Sequence, residues 1–174
     1  EKFNTEKILS LLYYIGYLTI CGYESNETLL KIPNYMIKSI YFEYMRKLIE
    51  RQMEKDFDTD KIRDALRKAK RGEIEEFIKI VEEYMKELSN RDYQRFDEKY
   101  IKVLIMSMIL PSQAYKVTTE KEVNGRYIDL YFEGLSDDVQ SYVIELKYVK
   151  AQGTDGEISQ KLQEATEQLA FFKQ

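Results

Sequence analysis

Three ionisable residues on two predicted strands are the part of the sequence best suited to chemistry. Asp129 lies within residues 126–132 (RYIDLYF), and Glu145 and Lys147 lie within residues 142–148 (YVIELKY). Side chains alternate between the two faces of a strand, so the apolar residues of each segment share one face and the ionisable residues take the other. If both apolar faces enter one core, Asp129, Glu145 and Lys147 converge on the same side of the sheet.

These three residues supply the groups that metal-dependent hydrolysis of a phosphate ester requires. Asp129 and Glu145 can hold a hard divalent cation, Mg²⁺ or Mn²⁺, through oxygen, while the ion keeps water ligands for the substrate phosphate. The ion lowers the pKa of a bound water, and Lys147 can orient that water or the phosphate. An exposed strand also often carries alternating opposite charges, so a solvated Glu145–Lys147 pair stays an alternative.

A further acid, Glu98, stands at the start of an apolar stripe on the helix predicted before the strands. The stripe contains Ile101, Ile105 and Met108. A carboxylate at the end of a core-facing surface needs a partner or a metal ion. The alternative is an acid of the first helical turn, where the helix macrodipole favours negative charge.

The composition excludes several other kinds of site. The 174 residues include no histidine and one cysteine, Cys21, which excludes His-dependent nucleophiles, His-ligated zinc and an internal disulfide. A single cysteine is typical of a reducing compartment, so we expect a cytoplasmic protein without membrane contact. The net charge of −4 provides no overall positive field, so a nucleic-acid substrate would need a local site. No stretch reaches the roughly 18 apolar residues that span a bilayer.

The first half of the chain is predicted to be mostly helical and to contain one β-hairpin, over residues 17–32. Asn34 is the expected cap of the helix after the hairpin, and Gly72 separates two later helices. The apolar stripes that define the four helices are, in chain order, Ile8, Leu11, Leu12 and Ile15; Ile37, Ile40, Tyr41, Tyr44, Met45 and Leu48; Ile62, Ala65, Leu66 and Ala69; and Ile74, Phe77, Ile78, Val81, Met85 and Leu88.

The most basic run of the chain lies beside Gly72. It contains Arg67, Lys68, Lys70 and Arg71 and could form a nucleic-acid patch. Cations in the last turn of one helix, followed by acids in the first turn of the next, are also what the two macrodipoles favour. We interpret the run as two solvated helix ends.

The second half is predicted to contain a helix, three strands and a final helix. The helix spans residues 92–110 and ends at Pro111, and the strands span residues 115–123, 126–132 and 141–148. The final helix is expected to direct Ile158, Leu162, Ala165, Leu169 and Phe172 towards the core. This order predicts an α+β fold, or α/β if a further strand adds parallel pairing, with a helical connector over residues 1–90 and a core over residues 91–174.

The motifs around these strands resemble those of the PD-(D/E)XK nuclease superfamily, whose core is a helix, three strands, a helix and a further strand. Residues 125–129 (GRYID) resemble its strand-borne Asp motif, and residues 144–147 (IELK) resemble its (D/E)-x-K motif. Glu98 lies where many members place a helix-borne acid. The resemblance implies a restriction-endonuclease-like core, here without its last strand, with Asp129 and Glu145 as metal ligands and Lys147 and Glu98 as catalytic residues.

Two further segments resemble the bacterial subgroup that is attached to AAA-ATPase-like domains. Residues 165–169 (ATEQL) resemble its last core helix, which implies that Gln168 is an accessory catalytic residue; residues 11–20 and 32–34 resemble its segment between ATPase and nuclease. This implies an ATPase-like domain upstream in a longer chain and a nucleic-acid substrate, with DNA favoured over RNA. A phosphate-binding loop is absent from this sequence, so ATP binding is not expected of it. Homo-oligomerisation is left open.

A noncatalytic module is the alternative function. The same fold can serve as an interaction or regulatory surface for an ATPase partner. The acidic net charge and the lack of a basic stripe that could follow a nucleic-acid backbone favour this alternative.

Overall fold

The computed structural model describes residues 4–89, 98–149 and 153–172. It has an α+β fold with two small antiparallel sheets, as predicted. In chain order the elements are α1 (Thr5–Tyr14), β1 (Thr19–Glu24), β2 (Glu27–Lys31), α2 (Tyr35–Met53), α3 (Thr59–Ala69), α4 (Glu75–Ser89), α5 (Glu98–Ile109), one turn of 3₁₀ helix (Leu110–Ser112), β3 (Lys116–Val123), β4 (Arg126–Glu133), β5 (Tyr142–Ile144) and α6 (Asp155–Phe171). None of the described helices is long and apolar enough to cross a membrane.

The first helix and the hairpin form as the local sequence predicts. Asn4 caps α1 by accepting a hydrogen bond from the Lys7 N–H, 3.0 Å from its side-chain oxygen, and β1 and β2 pair with each other. The apolar stripe of α1 is not buried: Ile8, Leu11 and Ile15 are 44%, 48% and 53% exposed. No described element covers that stripe, so the helix forms without entering the core.

The second helix buries a different face from its most apolar one. Asn34 caps it, but Ile40 and Tyr44 of the predicted stripe are 45% and 58% exposed. Its first turns are tied to β3 and to the residue before it, because the Lys38 ammonium donates to the Val117 carbonyl and the Tyr35 hydroxyl donates to the Tyr115 carbonyl. These two hydrogen bonds fix the rotation of α2 and direct Ser39, Ile49 and Met53 inwards.

One apolar core joins helices α2 to α5 and the three-stranded sheet. It contains residues from both predicted regions, such as Phe77 on α4 and Phe132 on β4, whose ring centroids are 6.5 Å apart. The Tyr142 hydroxyl also donates to the Ala69 carbonyl at the end of α3. The division of the chain near residue 90 stays a prediction, and the predicted helix start at Asp92 lies outside the described residues.

The three-stranded sheet follows the predicted alternation of faces. Asn124 and Gly125 form the tight turn between β3 and β4, with φ of 51° and 76°, which suits Asn and Gly. Apolar residues of β4 at positions 128, 130 and 132 are buried, while Asp129 lies on the other face. β5 pairs with β4 only as far as Ile144 opposite Leu130, so this strand is shorter than predicted.

The last helix shields only part of its predicted core face. α6 begins with a capping box between Thr154 and Glu157, but no residue of α6 is buried, and Ile158 and Leu162 are 50% and 68% exposed. The half-buried positions are Lys161, Glu164, Ala165, Gln168, Leu169, Phe171 and Phe172. The half-buried side of α6 thus keeps Ala165, Leu169 and Phe172 of the predicted face and adds polar residues to them.

Candidate functional site

The candidate site lies where β4 and the chain after β5 run side by side. Leu130 pairs with Ile144, so continuing that register by one position brings Asp129 opposite Glu145. Both acids are largely shielded, with side chains 16% and 3% exposed, and Lys147 is 23% exposed. The structure therefore brings these three predicted residues together on one side of the sheet.

Both carboxylate oxygens of Asp129 have a partner. Oδ1 lies 2.6 Å from the Lys102 ammonium on α5, and Oδ2 accepts a hydrogen bond from the Leu146 N–H at 2.9 Å. The bond to Oδ2 explains why β5 is short. The Leu146 N–H donates to a side chain, so it does not donate to a backbone carbonyl of β4.

The two carboxylate oxygens of Glu145 differ from each other. Oε1 is 2.5 Å from the Lys147 ammonium, whereas Oε2 is buried and has no hydrogen-bond partner. Burial raises the pKa of Glu145, and the charge of Asp129 raises it further, against the opposing hydrogen bond from Lys147. A buried carboxylate oxygen without a partner is costly, so the unpaired Oε2 marks a place where a ligand would relieve that cost.

Asp129 and Lys102 hold each other in their charged forms. Burial alone would raise the pKa of Asp129, but the hydrogen bonds from Lys102 and the Leu146 N–H lower it below its usual value. Burial alone would lower the pKa of Lys102, but its contacts with Asp129 and Glu98 raise it. The pair is therefore an ion pair at neutral pH.

The donor set fits a hard divalent cation that keeps most of its water. In the parts of the chain that the structure describes, no cluster of three or more acidic or thiol side chains could hold a metal ion. Mg²⁺ commonly binds through one or two carboxylates and retains several waters, which Asp129 and the unpaired Oε2 of Glu145 can provide. The ammonium of Lys102 is the group that stands against such an ion at Asp129.

Glu98 is connected to this cluster through Lys102. Its Oε1 lies 3.3 Å from the Lys102 ammonium, and its side chain is 38% exposed. Glu98 and Lys102 are four residues apart on α5, so they face the same way along the helix. Glu98 thus lies in the first turn of α5 and is also linked to the site through Lys102.

Gln168 lies on the half-buried face of α6. Among the described contacts, no hydrogen bond joins its amide to Asp129, Glu145 or Lys147. On the same helix, hydrogen bonding to Lys161 lowers the pKa of Glu164, and the charge of Lys147 makes a smaller contribution in the same direction.

Lys102 was not among the residues predicted for the site. A lysine four residues after a glutamate on a predicted helix is a recognised ion-pair spacing, and this signal was available in residues 98–102 (EKYIK). The contact of Lys102 with Asp129 had no such signal, since the two residues are 27 positions apart.

An open cleft lies between the residues that follow Lys147 and α6. It has a volume of about 400 Å³ and is lined by residues 148–149 and by Glu157, Gln160 and Lys161 of α6. None of the predicted site residues lines this cleft.

Residues 96–171 match the family model described as PD-(D/E)XK nuclease superfamily. No curated protein and no solved structure gives a significant match to the chain. The matched segment contains every predicted site residue: Glu98, Asp129, Glu145, Lys147 and Gln168. The resemblance to this superfamily is thereby confirmed for that segment, whereas the ATPase-attached subgroup, the bacterial origin and the individual residue roles stay predictions.

Proposed function

We propose that this chain carries a metal-dependent nuclease-like domain that hydrolyses phosphodiester bonds of nucleic acid. One observation carries the proposal: the buried, unpaired Oε2 of Glu145 lies in a cluster with Asp129 and Lys147. The match of residues 96–171 to a nuclease superfamily supports it. The cation we propose is Mg²⁺ or Mn²⁺, since both accept carboxylate oxygen and water as ligands.

Each of the three central residues has a distinct task in this proposal. Asp129 and Glu145 hold the cation, which when bound supplies an acidified water and positive charge against a phosphoryl oxygen. Lys147 orients the attacking water or the phosphate through its ammonium group, which the contact with Glu145 Oε1 at 2.5 Å keeps beside the carboxylates. This division of work needs neither histidine nor cysteine.

Two further residues are assigned supporting tasks. Glu98 assists the metal or accepts a proton, and its half-exposed carboxylate, 3.3 Å from Lys102, is close enough to the cluster to do so. Gln168 is an accessory polar contact, on the inward face of a helix whose Glu164 senses the Lys147 charge.

The substrate that we propose is DNA in preference to RNA. The cleft of about 400 Å³ beside residues 148–149 offers room for a nucleotide, but its lining carries one acid, Glu157, against one base, Lys161, and so adds no net positive charge. With a net charge of −4, the chain has no general attraction for a polyanion. We therefore propose that an upstream ATPase-like domain of a longer bacterial, cytoplasmic protein helps to hold the substrate.

Cleavage assays test this proposal. Labelled single-stranded DNA, double-stranded DNA and RNA are incubated with the protein and Mg²⁺ or Mn²⁺, and the products are separated by size. We expect metal-dependent cleavage that falls about 100-fold or more in Glu145→Gln and in Lys147→Met, the usual scale for loss of a charge-stabilising group. Glu122→Gln is the matched control, because Glu122 is exposed on β3. Cleavage that persists in both site variants would contradict the assignment.

A noncatalytic module is the second candidate function, and the Lys102 contact favours it. The ammonium at 2.6 Å already neutralises Asp129, as it would in a domain that has no use for a metal ion. A folded wild-type protein that neither cleaves any of the three substrates nor binds Mn²⁺ in calorimetry would establish this candidate over the nuclease.

A further inference from the structure

Lys102 occupies a central place among the acids of the candidate site. Its ammonium lies 2.6 Å from Asp129 Oδ1 and 3.3 Å from Glu98 Oε1, and its side chain is only 14% exposed. The stem of this lysine is thus held against the sheet, and its charge is shielded from water and from dissolved salt.

The ammonium uses the oxygen that Asp129 would offer to a metal ion. Oδ2 of the same carboxylate already accepts the Leu146 N–H at 2.9 Å, so both oxygens of Asp129 are engaged. A carboxylate oxygen has more than one lone pair, but an ammonium and a divalent cation on the same oxygen repel each other. A cation that binds Asp129 must therefore displace Lys102 or bind against its charge.

The charge balance of the site leads to the same conclusion. The cluster contains three carboxylates, on Glu98, Asp129 and Glu145, and two ammonium groups, on Lys102 and Lys147. Lys147 is directed to Glu145 and is part of the proposed chemistry, whereas Lys102 has no task in it. Removing the Lys102 charge would double the net negative charge of the cluster and leave Asp129 Oδ1 free.

We propose that Lys102 is a built-in counterion that competes with the divalent cation for Asp129 and thereby weakens metal binding at this site. The inference rests on the proposed function, since it concerns the same metal ligands. It assigns to Lys102 a regulatory task and not a catalytic one: the ammonium keeps the acid pair stable without metal and sets the metal concentration at which the site fills.

Calorimetric titration with MnCl₂ tests the inference on the whole chain. We expect Lys102→Met to bind Mn²⁺ about tenfold more tightly than the wild type, the scale of one charge-assisted hydrogen bond expressed as an equilibrium constant. Lys102→Gln keeps a donor for Asp129 without the charge and carries the same expectation. Lys102→Arg keeps the charge and should bind Mn²⁺ as the wild type does.

Lys99→Met is the matched control on the same helix. Lys99 is exposed, so its removal changes the overall charge of the chain as Lys102→Met does without changing the site. We expect its Mn²⁺ affinity to equal that of the wild type, and an equal gain in both variants would overturn the inference in favour of a general charge effect.

The remaining outcomes separate this inference from the proposed function. If wild type binds Mn²⁺ in a manner that Glu145→Gln abolishes, but Lys102→Met and Lys102→Gln bind equally or more weakly, the metal site stands and the inference is overturned. Weaker binding would mean that Lys102 holds Asp129 in its binding position. If none of the variants binds Mn²⁺, both the metal site and the inference fail. Circular dichroism shows which variants are folded. If Lys102→Met does not fold, the Mn²⁺ affinity of Lys102→Gln tests the inference in its place.

Discussion

The N-terminal region (residues 4–32) and the site region (residues 98–149) place their side chains in opposite ways. In the N-terminal region, no residue of α1 is buried and Tyr14 is 90% exposed. In the site region, Leu104–Ile109 are all buried, and even the carboxylate of Glu145 is only 3% exposed. Apolar residues thus lie in solvent in one region, while a charged residue is shielded in the other.

This contrast teaches that burial depends on a packing partner more than on the side chain itself. An apolar stripe and helix caps are sufficient for a helix to form. The stripe is removed from water only when another apolar surface packs against it. A charged residue enters the interior where a partner of opposite charge or a backbone N–H receives it, as Lys102 and the Leu146 N–H receive Asp129.

The largest expected effect tests the apolar side of the contrast. Phe132 on β4 is 1% exposed and its ring centroid lies 5.9 Å from that of Tyr115. Phe132→Ala should lower the free energy of unfolding by about 4 kcal/mol, because it removes buried contacts and leaves a cavity. Urea unfolding followed by circular dichroism measures the loss.

Leu11→Ala is the counterpart of this change in the N-terminal region. Leu11 is 48% exposed, so the free energy of unfolding should fall by less than about 1 kcal/mol. A loss as large as that of Phe132→Ala would mean that α1 is buried against a partner in solution and would remove the contrast.

The next effect tests the charged side of the contrast. Asp129→Ala should lower the free energy of unfolding by about 2 to 3 kcal/mol, because it leaves a shielded ammonium on Lys102 and the Leu146 N–H without their acceptor. Adding Lys102→Met to Asp129→Ala should recover about 1 kcal/mol, since the isolated charge is removed. Urea unfolding of the four members of this double-mutant cycle gives both values.

A surface ion pair on the same strand is the control for that cycle. Glu133 contacts Lys116 at 2.7 Å, and the two side chains are 39% and 60% exposed. Glu133→Ala should leave the free energy of unfolding unchanged within the error of the measurement. Equal losses for Asp129→Ala and Glu133→Ala would show that shielding adds nothing to the pair at the site.

A smaller effect is expected at alkaline pH. Burial raises the pKa of Tyr115 from 10.0 to about 12, with a further contribution from the charge of Tyr142. A raised pKa in the folded protein means that the stabilising contribution is complete below about pH 10 and is lost as the pH rises through about 12. Between pH 8 and pH 11, the free energy of unfolding of Tyr115→Phe should therefore fall by about 1 kcal/mol less than that of the wild type.

This substitution should cost little at neutral pH, because the buried Tyr115 hydroxyl has no hydrogen-bond partner. Urea unfolding at pH 8 and pH 11 measures the difference. Tyr14→Phe is the control from the N-terminal region, where the 90% exposed ring is equally hydrated in the folded and unfolded chain. If the free energy of unfolding of Tyr115→Phe falls between pH 8 and pH 11 as much as that of the wild type, the prediction is wrong.

The smallest effect concerns the basic run at the end of α3. Lys68 pairs with Glu76 of α4, but the two side chains are 44% and 41% exposed. Lys68→Ala should leave the free energy of unfolding unchanged within the error of the measurement. In fluorescence anisotropy with labelled DNA, its affinity should match the wild type; a loss of tenfold or more would instead make this run a nucleic-acid surface.

Local sequence signals were sufficient for the elements that depend on neighbouring residues. The cap Asn34 and the alternating faces of β4 form as predicted, and the cap Asn4 and the turn at Asn124 and Gly125 have equally local causes. Each of these features depends on residues that lie a few positions apart in the chain, so the local residue types are sufficient to predict it.

Contacts between distant segments could not be predicted in this way. The rotation of α2 depends on hydrogen bonds from Tyr35 and Lys38 to the carbonyls of Tyr115 and Val117, about 80 positions away. Of the face predicted for α6, Ala165, Leu169 and Phe172 are half-buried, whereas Ile158 and Leu162 are exposed because no described element covers them. Lys102 was missed for the same reason, because nothing near it in the sequence indicates Asp129.

The amino-acid sequence by itself determined which residues share the site face, because strand alternation places Asp129, Glu145 and Lys147 on the side opposite the core. It also excluded histidine and thiolate chemistry, since composition does not depend on folding. Only the tertiary structure decided that Asp129 is paired with Lys102 and that Glu145 keeps one buried oxygen without a partner. Burial and charge pairing arise when segments that are distant in the sequence pack together. The strength of a charge pair depends on how much water this packing excludes.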